Sequence, residues 1–212
     1  MSQGKGANSR GSWMANLILI RHGQSVWNAS NRFTGWTDVD LSEKGVLEAE
    51  KAGRDLGTQR IDVVHTSDLV RAQRTAEIIM GINECSEGVE TRYDWRLNER
   101  NYGSLQGLNK AETAEKHGAE QVHIWRRSYD VAPPDGESLE MTASRTIPYF
   151  IEEVLPDLES GKNVLVSAHG NSLRSIVMHI EGISPDEIVN LEIPTGVPMH
   201  YDFEEGEIKR CD

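Results

Sequence analysis

The chain is short of cysteine, of cationic residues and of long apolar runs, and each shortage removes a class of protein. Its two cysteines in 212 residues, Cys85 and Cys211, lie far apart with no Cys-x-x-Cys spacing. That usage fits a reducing cytosol and argues against a disulfide framework. Lys and Arg number 22 against 34 Asp and Glu, a formal net charge of −12, so the chain lacks the basic face that nucleic acid or an anionic membrane surface requires. Any anionic ligand must therefore meet a local cluster of cations. No apolar run approaches the roughly 20 residues that cross a bilayer, and the N-terminus has no apolar signal-peptide core. The expectation is a soluble, cytoplasmic protein with no membrane or nucleic-acid partner. A repeat array, an inter-domain linker and low-complexity blocks are also missing after Trp13. Length and a 37% hydrophobic content predict one domain with a substantial core over residues 14–212. Residues 1–13, rich in Gly, Ser, Asn and Gln, bury little apolar surface and are expected to form a disordered extension.

What is present alternates between strand and helix signals. Leu17–Ile20 is a run of four aliphatics that reads as a fully buried strand, and it ends abruptly in Arg21, His22 and Gly23. Residues 25–37 form a polar loop with Trp27, Phe33 and Trp36, too aromatic for a linker and suited to packing around a pocket. Ser42 is placed to cap a helix over Glu43–Leu56 that Gly57 stops. Ile61–His65 predicts a second strand, followed by Ser67 as the cap of a helix over Asp68–Met80. Val89–Arg96 is a strand candidate leading into a polar loop, Leu97–Gly103. Asn109 and Gly118 bracket a short helix, and Glu120–Ser128 is another. Ser138 caps a long helix reaching about Ser160, with Pro148 as its kink. Asn163–Ala168 then repeats the opening theme, a buried strand ending in His169-Gly170-Asn171 before a helix over Ser172–Ile180. A short helix opens at Ser184-Pro185, and Val197–Phe203 reads as a last strand, placed at a sheet edge by its prolines. The alternation implies an α/β fold in three layers, a mainly parallel sheet with helices on both faces.

In such a sheet the carboxyl ends of the parallel strands share one rim, where ligands bind. Three strands deliver Arg21-His22-Gly23, Ser67 followed by Arg71, and His169-Gly170-Asn171 to that rim. Arg71 falls in the first turn of its helix, where a cation opposes the helix dipole. It either holds an anion against the helix N-terminus or pairs with Asp68. Converging guanidiniums suit a phosphoryl group, whose oxygens their planar forks match. At about 4 Å and an effective dielectric near 20, each contact supplies on the order of 4 kcal/mol before desolvation. The same cations disfavour protonation of an adjacent imidazole, and a neutral imidazole is a nucleophile. One histidine would attack phosphorus while the other stabilises the transferring oxygens. A metal held by both histidines and Glu99 is the competing reading. Arg21 and Arg71 oppose it, and no His-x-His or His-x-x-x-His spacing is present, so no metal is expected.

Arg21-His22-Gly23, Ser67-Asp68-Leu69-Val70-Arg71-Ala72 and His169-Gly170-Asn171 together resemble the histidine phosphatase superfamily. Asn28, Arg32–Trp36, Arg96–Arg100 with Tyr102-Gly103, Leu105–Lys110, Trp125–Arg127 and Ile193–Pro198 extend the likeness, over about Leu17–Phe203, to cofactor-dependent phosphoglycerate mutases. That resemblance implies interconversion of 2-phosphoglycerate and 3-phosphoglycerate, in glycolysis and gluconeogenesis, through a phosphohistidine primed by 2,3-bisphosphoglycerate. It implies His22 as phosphoryl carrier, Glu99 as proton donor and acceptor, and Arg21, Arg71 and His169 around the transferring group. Gly23, Gln24, Ser25, Asn28, Thr34, Gly35, Arg100, Tyr102, Lys110, Arg126, Arg127, Gly170 and Asn171 would hold substrate. Taken alone, Glu99 reads as an ion-pair partner of Arg96 or Arg100, and Arg126-Arg127 as a solvated basic pair. Between Pro134 and Glu137 stand only Asp135-Gly136, where longer members carry an insertion, and the chain ends at Asp212 without their tail. Those segments bear on subunit contacts and active-site cover, which leaves a homo-oligomer and the mutase-to-phosphatase balance open. Position 24 is Gln where many mutases carry Glu. A phosphatase on the same scaffold, or an inert binding homologue, are the alternatives.

Overall fold

Alternate residues of the opening strand face opposite sides of one sheet, and the whole molecule follows from that. The computed structural model describes residues 14–85 and 88–211; the expected N-terminal extension over 1–13 lies outside the described residues. β1 (Ala15–Arg21) sends Leu17 and Leu19 into one core and Ile18 and Ile20 into another. β2 (Val63–Thr66), β3 (Glu90–Tyr93) and β4 (Val164–Ala168) run parallel to it, in the order β3-β2-β4-β1. β5 (Met199–Glu204) and β6 (Glu207–Arg210) continue the sheet antiparallel beyond β1. One face is covered by α2 (Glu43–Leu56) and α3 (Val70–Ile82), whose Ala52, Leu56, Ala76 and Ile79 meet Ile18, Ile20, Val64 and Leu165. The other is covered by α6 (Leu139–Tyr149), α7 (Leu155–Glu159) and α8 (Gly170–Glu181), packed on Leu17, Leu19, Val164 and Val166. The expected three-layer α/β architecture is therefore the observed one. Among the described residues no helix is long and apolar enough to cross a membrane.

Local chemistry accounts for most boundaries. Ser42 Oγ accepts the Gly45 N–H at 3.1 Å and starts α2, and Gly57 ends it. Asn109 and Gly118 bound α4 (Lys110–His117), and α5 (Ala119–Arg127) follows directly. Gly182 ends α8 in the left-handed conformation at φ +65°, and Ser184 caps α9 (Pro185–Ile188).

Four expectations need correction. Ser67 does not cap α3, which begins at Val70 behind Leu69; its hydroxyl is taken by the His169 ring at 2.7 Å and the Leu69 N–H at 3.1 Å. α3 also runs past Gly81 to Ile82. The loop after β1 contains α1 (Val26–Ala29), closed by reciprocal bonds between Ser25 and Asn28. The long helix from Ser138 runs to Glu159 as expected, its irregularity taking the form of a wide helical turn over Phe150–Val154 between α6 and α7, just after Pro148, which supplies no N–H to the ladder. The last strand is not at the edge, because β6 folds back on β5 through Glu205 and Gly206, both at positive φ. Pro194 and Pro198 fall before the ladder, so they do not exclude it from the sheet interior.

The parallel register levels the strand ends. Arg21 stands opposite Ala168 and Thr66 opposite Ser167, so His22, Ser67 and His169 emerge side by side.

Candidate active site

Gly23 lets β1 turn beneath α2: a Cβ there would sit 2.1 Å from the Gly45 carbonyl oxygen. His22 is thereby left at the floor of a solvent-open cleft of about 770 Å³ while remaining only 2% exposed. Its Nδ1 lies 2.6 Å from the Gly23 carbonyl, an acceptor, so Nδ1 carries the proton. Nε2 then holds the lone pair and accepts from Arg71 Nε at 3.3 Å. Burial, reinforced by the charges of Arg71 and Arg21, holds His22 well below the ordinary imidazole range. The ring is neutral, with its nucleophilic nitrogen fixed.

His169 packs edge-on to His22, with ring centroids 5.0 Å apart. The Ser67 hydroxyl, which accepts from Leu69, shares a hydrogen bond of 2.7 Å with His169 Nε2; when the hydroxyl donates, the ring proton sits on Nδ1, a buried atom with no protein partner. Burial first, then Arg71, His22 and Arg21, keeps this ring neutral too. Arg71 is buried and turned inward; it donates to the Gly35 carbonyl at 2.7 Å and the Thr37 carbonyl at 3.1 Å, so the pairing with Asp68 does not form. Burial brings its pKa down to about 10, which leaves it charged at neutral pH. Arg21 is fixed by a segment distant in sequence. Its Nη1 donates to the Ile193 carbonyl at 2.8 Å, its backbone bridges Thr195, and its carbonyl accepts from Gly196.

Glu99 makes no ion pair with Arg96, which is held by Asp94 and Glu152. Its Oε1 accepts the backbone N–H groups of Arg100 at 2.7 Å and Asn171 at 3.1 Å. Its carbonyl is clamped by Trp36 Nε1 at 2.6 Å and Arg145 Nη2 at 2.9 Å. Glu99 therefore faces the cleft on a backbone that cannot shift.

The cleft is lined by Arg21, His22, Asn28, Thr34, Gly35, Arg71, Glu99, Tyr102, Lys110, Arg126, Arg127, Gly170 and Asn171 among the expected residues. Lys110 is held below its ordinary value by burial and then by Arg126. Five expected residues do not line it: His169, which is fully buried edge-on to His22, and Gly23, Gln24, Ser25 and Arg100. Gly23 donates its N–H to Thr75, the Gln24 side chain accepts from Ser42, and Ser25 is occupied by capping α1. Arg100 is fully buried and supports from behind, donating to the Tyr102 hydroxyl and the Arg126 carbonyl. The sequence reading gave no site role to Arg32, Phe33, Arg174, Leu191, Glu192 and Ile193, which also line the cleft. Arg32, Phe33 and Ile193 stood in recognised motifs, and Arg174 sits three residues after Asn171; Leu191 and Glu192 carried no local signal. Among the described residues no group of three or more His, Cys, Asp or Glu side chains forms a metal-ligand set.

The model of the histidine phosphatase superfamily (branch 1) matches residues 17–210. The 2,3-bisphosphoglycerate-dependent phosphoglycerate mutase of Protochlamydia amoebophila is 49% identical over 220 residues, covering 92% of this chain and 97% of the relative. That of Methanococcus vannielii is 45% identical, with 93% and 94% covered. The chain belongs to the histidine phosphatase superfamily, in its phosphoglycerate mutase family. The superfamily scaffold is equally visible in a mycobacterial glucosyl-3-phosphoglycerate phosphatase solved with VO3, which superposes with a TM-score of 0.80 at 27% identity over 93% of this chain and 96% of that one. In this phosphoglycerate mutase family member the matched range, residues 17–210, spans both histidine-bearing strands and the segments between them that build the cleft.

Proposed function

We propose that this chain interconverts 2-phosphoglycerate and 3-phosphoglycerate, with the phosphoryl group passing through Nε2 of His22. The observation that carries this reading is the fixed neutral tautomer of His22, its lone pair presented to a cleft lined by seven cationic side chains and two carboxylates. The Nε2 lone pair forms the bond to phosphorus as the bond to the donor oxygen breaks. Arg21, Arg71 and the unpartnered Nδ1–H of His169 take up the charge on the transferring oxygens. Glu99 gives a proton to the departing oxygen and takes one from the hydroxyl that attacks in the return step. Lys110, Arg126 and Arg127 hold the carboxylate and the far phosphate, which keeps a doubly phosphorylated species in place while it reorients.

The residues fit 2,3-bisphosphoglycerate as the priming cofactor: Arg21 Nε, Thr34 Oγ1 and Arg174 Nε are buried polar atoms without partners on residues that line the cleft. When bound, it supplies the phosphoryl group that charges His22. The partners are small phosphoglycerates in the cytoplasm, admitted to an acidic chain by this local cation cluster.

Incubation with 2,3-bisphosphoglycerate is expected to yield an acid-labile phosphoprotein, absent in His22→Ala. Isomerisation of 3-phosphoglycerate should need only catalytic cofactor and should persist in EDTA. Free phosphate released from 3-phosphoglycerate faster than 2-phosphoglycerate forms would overturn the mutase reading in favour of a phosphatase.

A further inference from the structure

Arg174 carries no step of the phosphoryl transfer just described and enters it only through its unpartnered Nε, yet it is 4% exposed and lines the same cleft. Its Nη1 donates to Asn171 Oδ1 at 3.1 Å, its Nη2 donates to the Ile188 carbonyl, and its Nε is buried without a partner. No carboxylate pairs with it among the described ion pairs. Burial, with the charges of Arg100 and Arg127, brings its pKa down to about 10. A buried cation among cations destabilises the fold unless something is gained from its bonds.

Those bonds organise the cleft wall. An Asn amide can present either end to a ligand, and committing Oδ1 to Arg174 fixes which end points away from it. The amide NH2 of Asn171 is then left to face the cleft, which Tyr102 also lines with a hydroxyl that accepts from Arg100 Nη2 at 3.2 Å. The Asn171 backbone N–H is meanwhile held by Glu99 Oε1 at 3.1 Å.

We propose that Arg174 is a positioning residue of this site, fixing the Asn171 amide so that its NH2 meets the far end of the ligand. The inference rests on reading the cleft as a phosphoglycerate site. It is tested with Arg174→Met and Asn171→Ala, singly and together, by kcat and KM for 3-phosphoglycerate, by calorimetric Kd for the same compound, and by thermal midpoint. Arg174→Met is expected to raise KM and Kd about tenfold or more, with kcat lowered less than about threefold. In the Asn171→Ala background the same substitution should change either constant less than about twofold. Arg174→Lys, a point charge that cannot serve both bonds, should fall between. Additive effects in the double variant, or a lowered midpoint with unchanged KM and Kd, would overturn the proposal and leave Arg174 a tether for Ile188. If Arg174→Met does not fold, the Arg174→Lys cycle with Asn171→Ala decides in the same way. A wild-type protein that binds 3-phosphoglycerate without isomerising it overturns the proposed function, while the Kd cycle still decides the role of Arg174.

Discussion

At His22, three neighbours act on one ring: the Gly23 carbonyl takes the Nδ1 proton, Arg71 faces Nε2, and burial removes the water that would stabilise an imidazolium. The strongest of these is burial. The sequence reading credited the neighbouring cations alone, because the desolvation of a residue at a strand end depends on what folds over it. Glu99 is a similar case. Two backbone N–H groups, from Arg100 and Asn171, hold its Oε1, an arrangement that joins residues far apart in the chain. In its proposed role of proton donor and acceptor, Glu99 cannot be replaced by its amide. Glu99→Gln is expected to lower kcat by about 10²- to 10⁴-fold with KM changed only a few-fold, measured by steady-state isomerisation. A variant with wild-type kcat would remove Glu99 from proton transfer.

Among the elements, the segment joining α9 to β5 does more than its sequence suggested. It enters the sequence reading as one motif among several, Ile193–Pro198; in the fold its carbonyls and N–H groups hold Arg21. The same segment places the exposed Glu192 carboxylate on Arg127. In its proposed role Arg127 cannot serve Glu192 and an anionic substrate equally, so the substrate would displace that carboxylate. Glu192→Gln is therefore expected to lower KM for 3-phosphoglycerate by about two- to fivefold, the range of an exposed ion pair. A raised KM would instead make Glu192 a support for Arg127. Elsewhere the elements were legible where a local rule governs them, as at Ser42, Gly57, Asn109, Gly118 and Gly182. They were misread where a side chain had a distant partner. Ser67 has the composition of a helix cap and instead bonds His169, 102 residues away.

For the molecule as a whole, three buried imidazoles couple stability to pH. His22 and His169 lie in the site, and His65, on β2, bonds the Tyr149 hydroxyl at 2.7 Å and Asp157 at 3.0 Å, joining the sheet to α6 and α7. Each is held below the ordinary histidine range, by burial above all. The unfolded chain therefore binds protons that the fold refuses once pH falls beneath about 6.5. Stability is full above that pH and declines beneath it, by about 1.4 kcal/mol per pH unit for each histidine still neutral in the fold. Urea denaturation at pH 7.5 and 5.5 should show the midpoint falling at the lower pH. Equal midpoints would mean that these imidazoles accept protons without unfolding.

The amino-acid sequence by itself determined the strand-helix alternation, the parallel strands and the delivery of Arg21, His22, Arg71 and His169 to one rim. These follow from apolar periodicity and helix termini, which neighbouring residues encode. Tertiary structure alone decided which nitrogen of His22 is free, that Gln24 serves the scaffold and not the cleft, and that the segment before β5 holds Arg21. Those outcomes depend on desolvation and on bonds between separate elements, and neither exists until the layers close over the sheet.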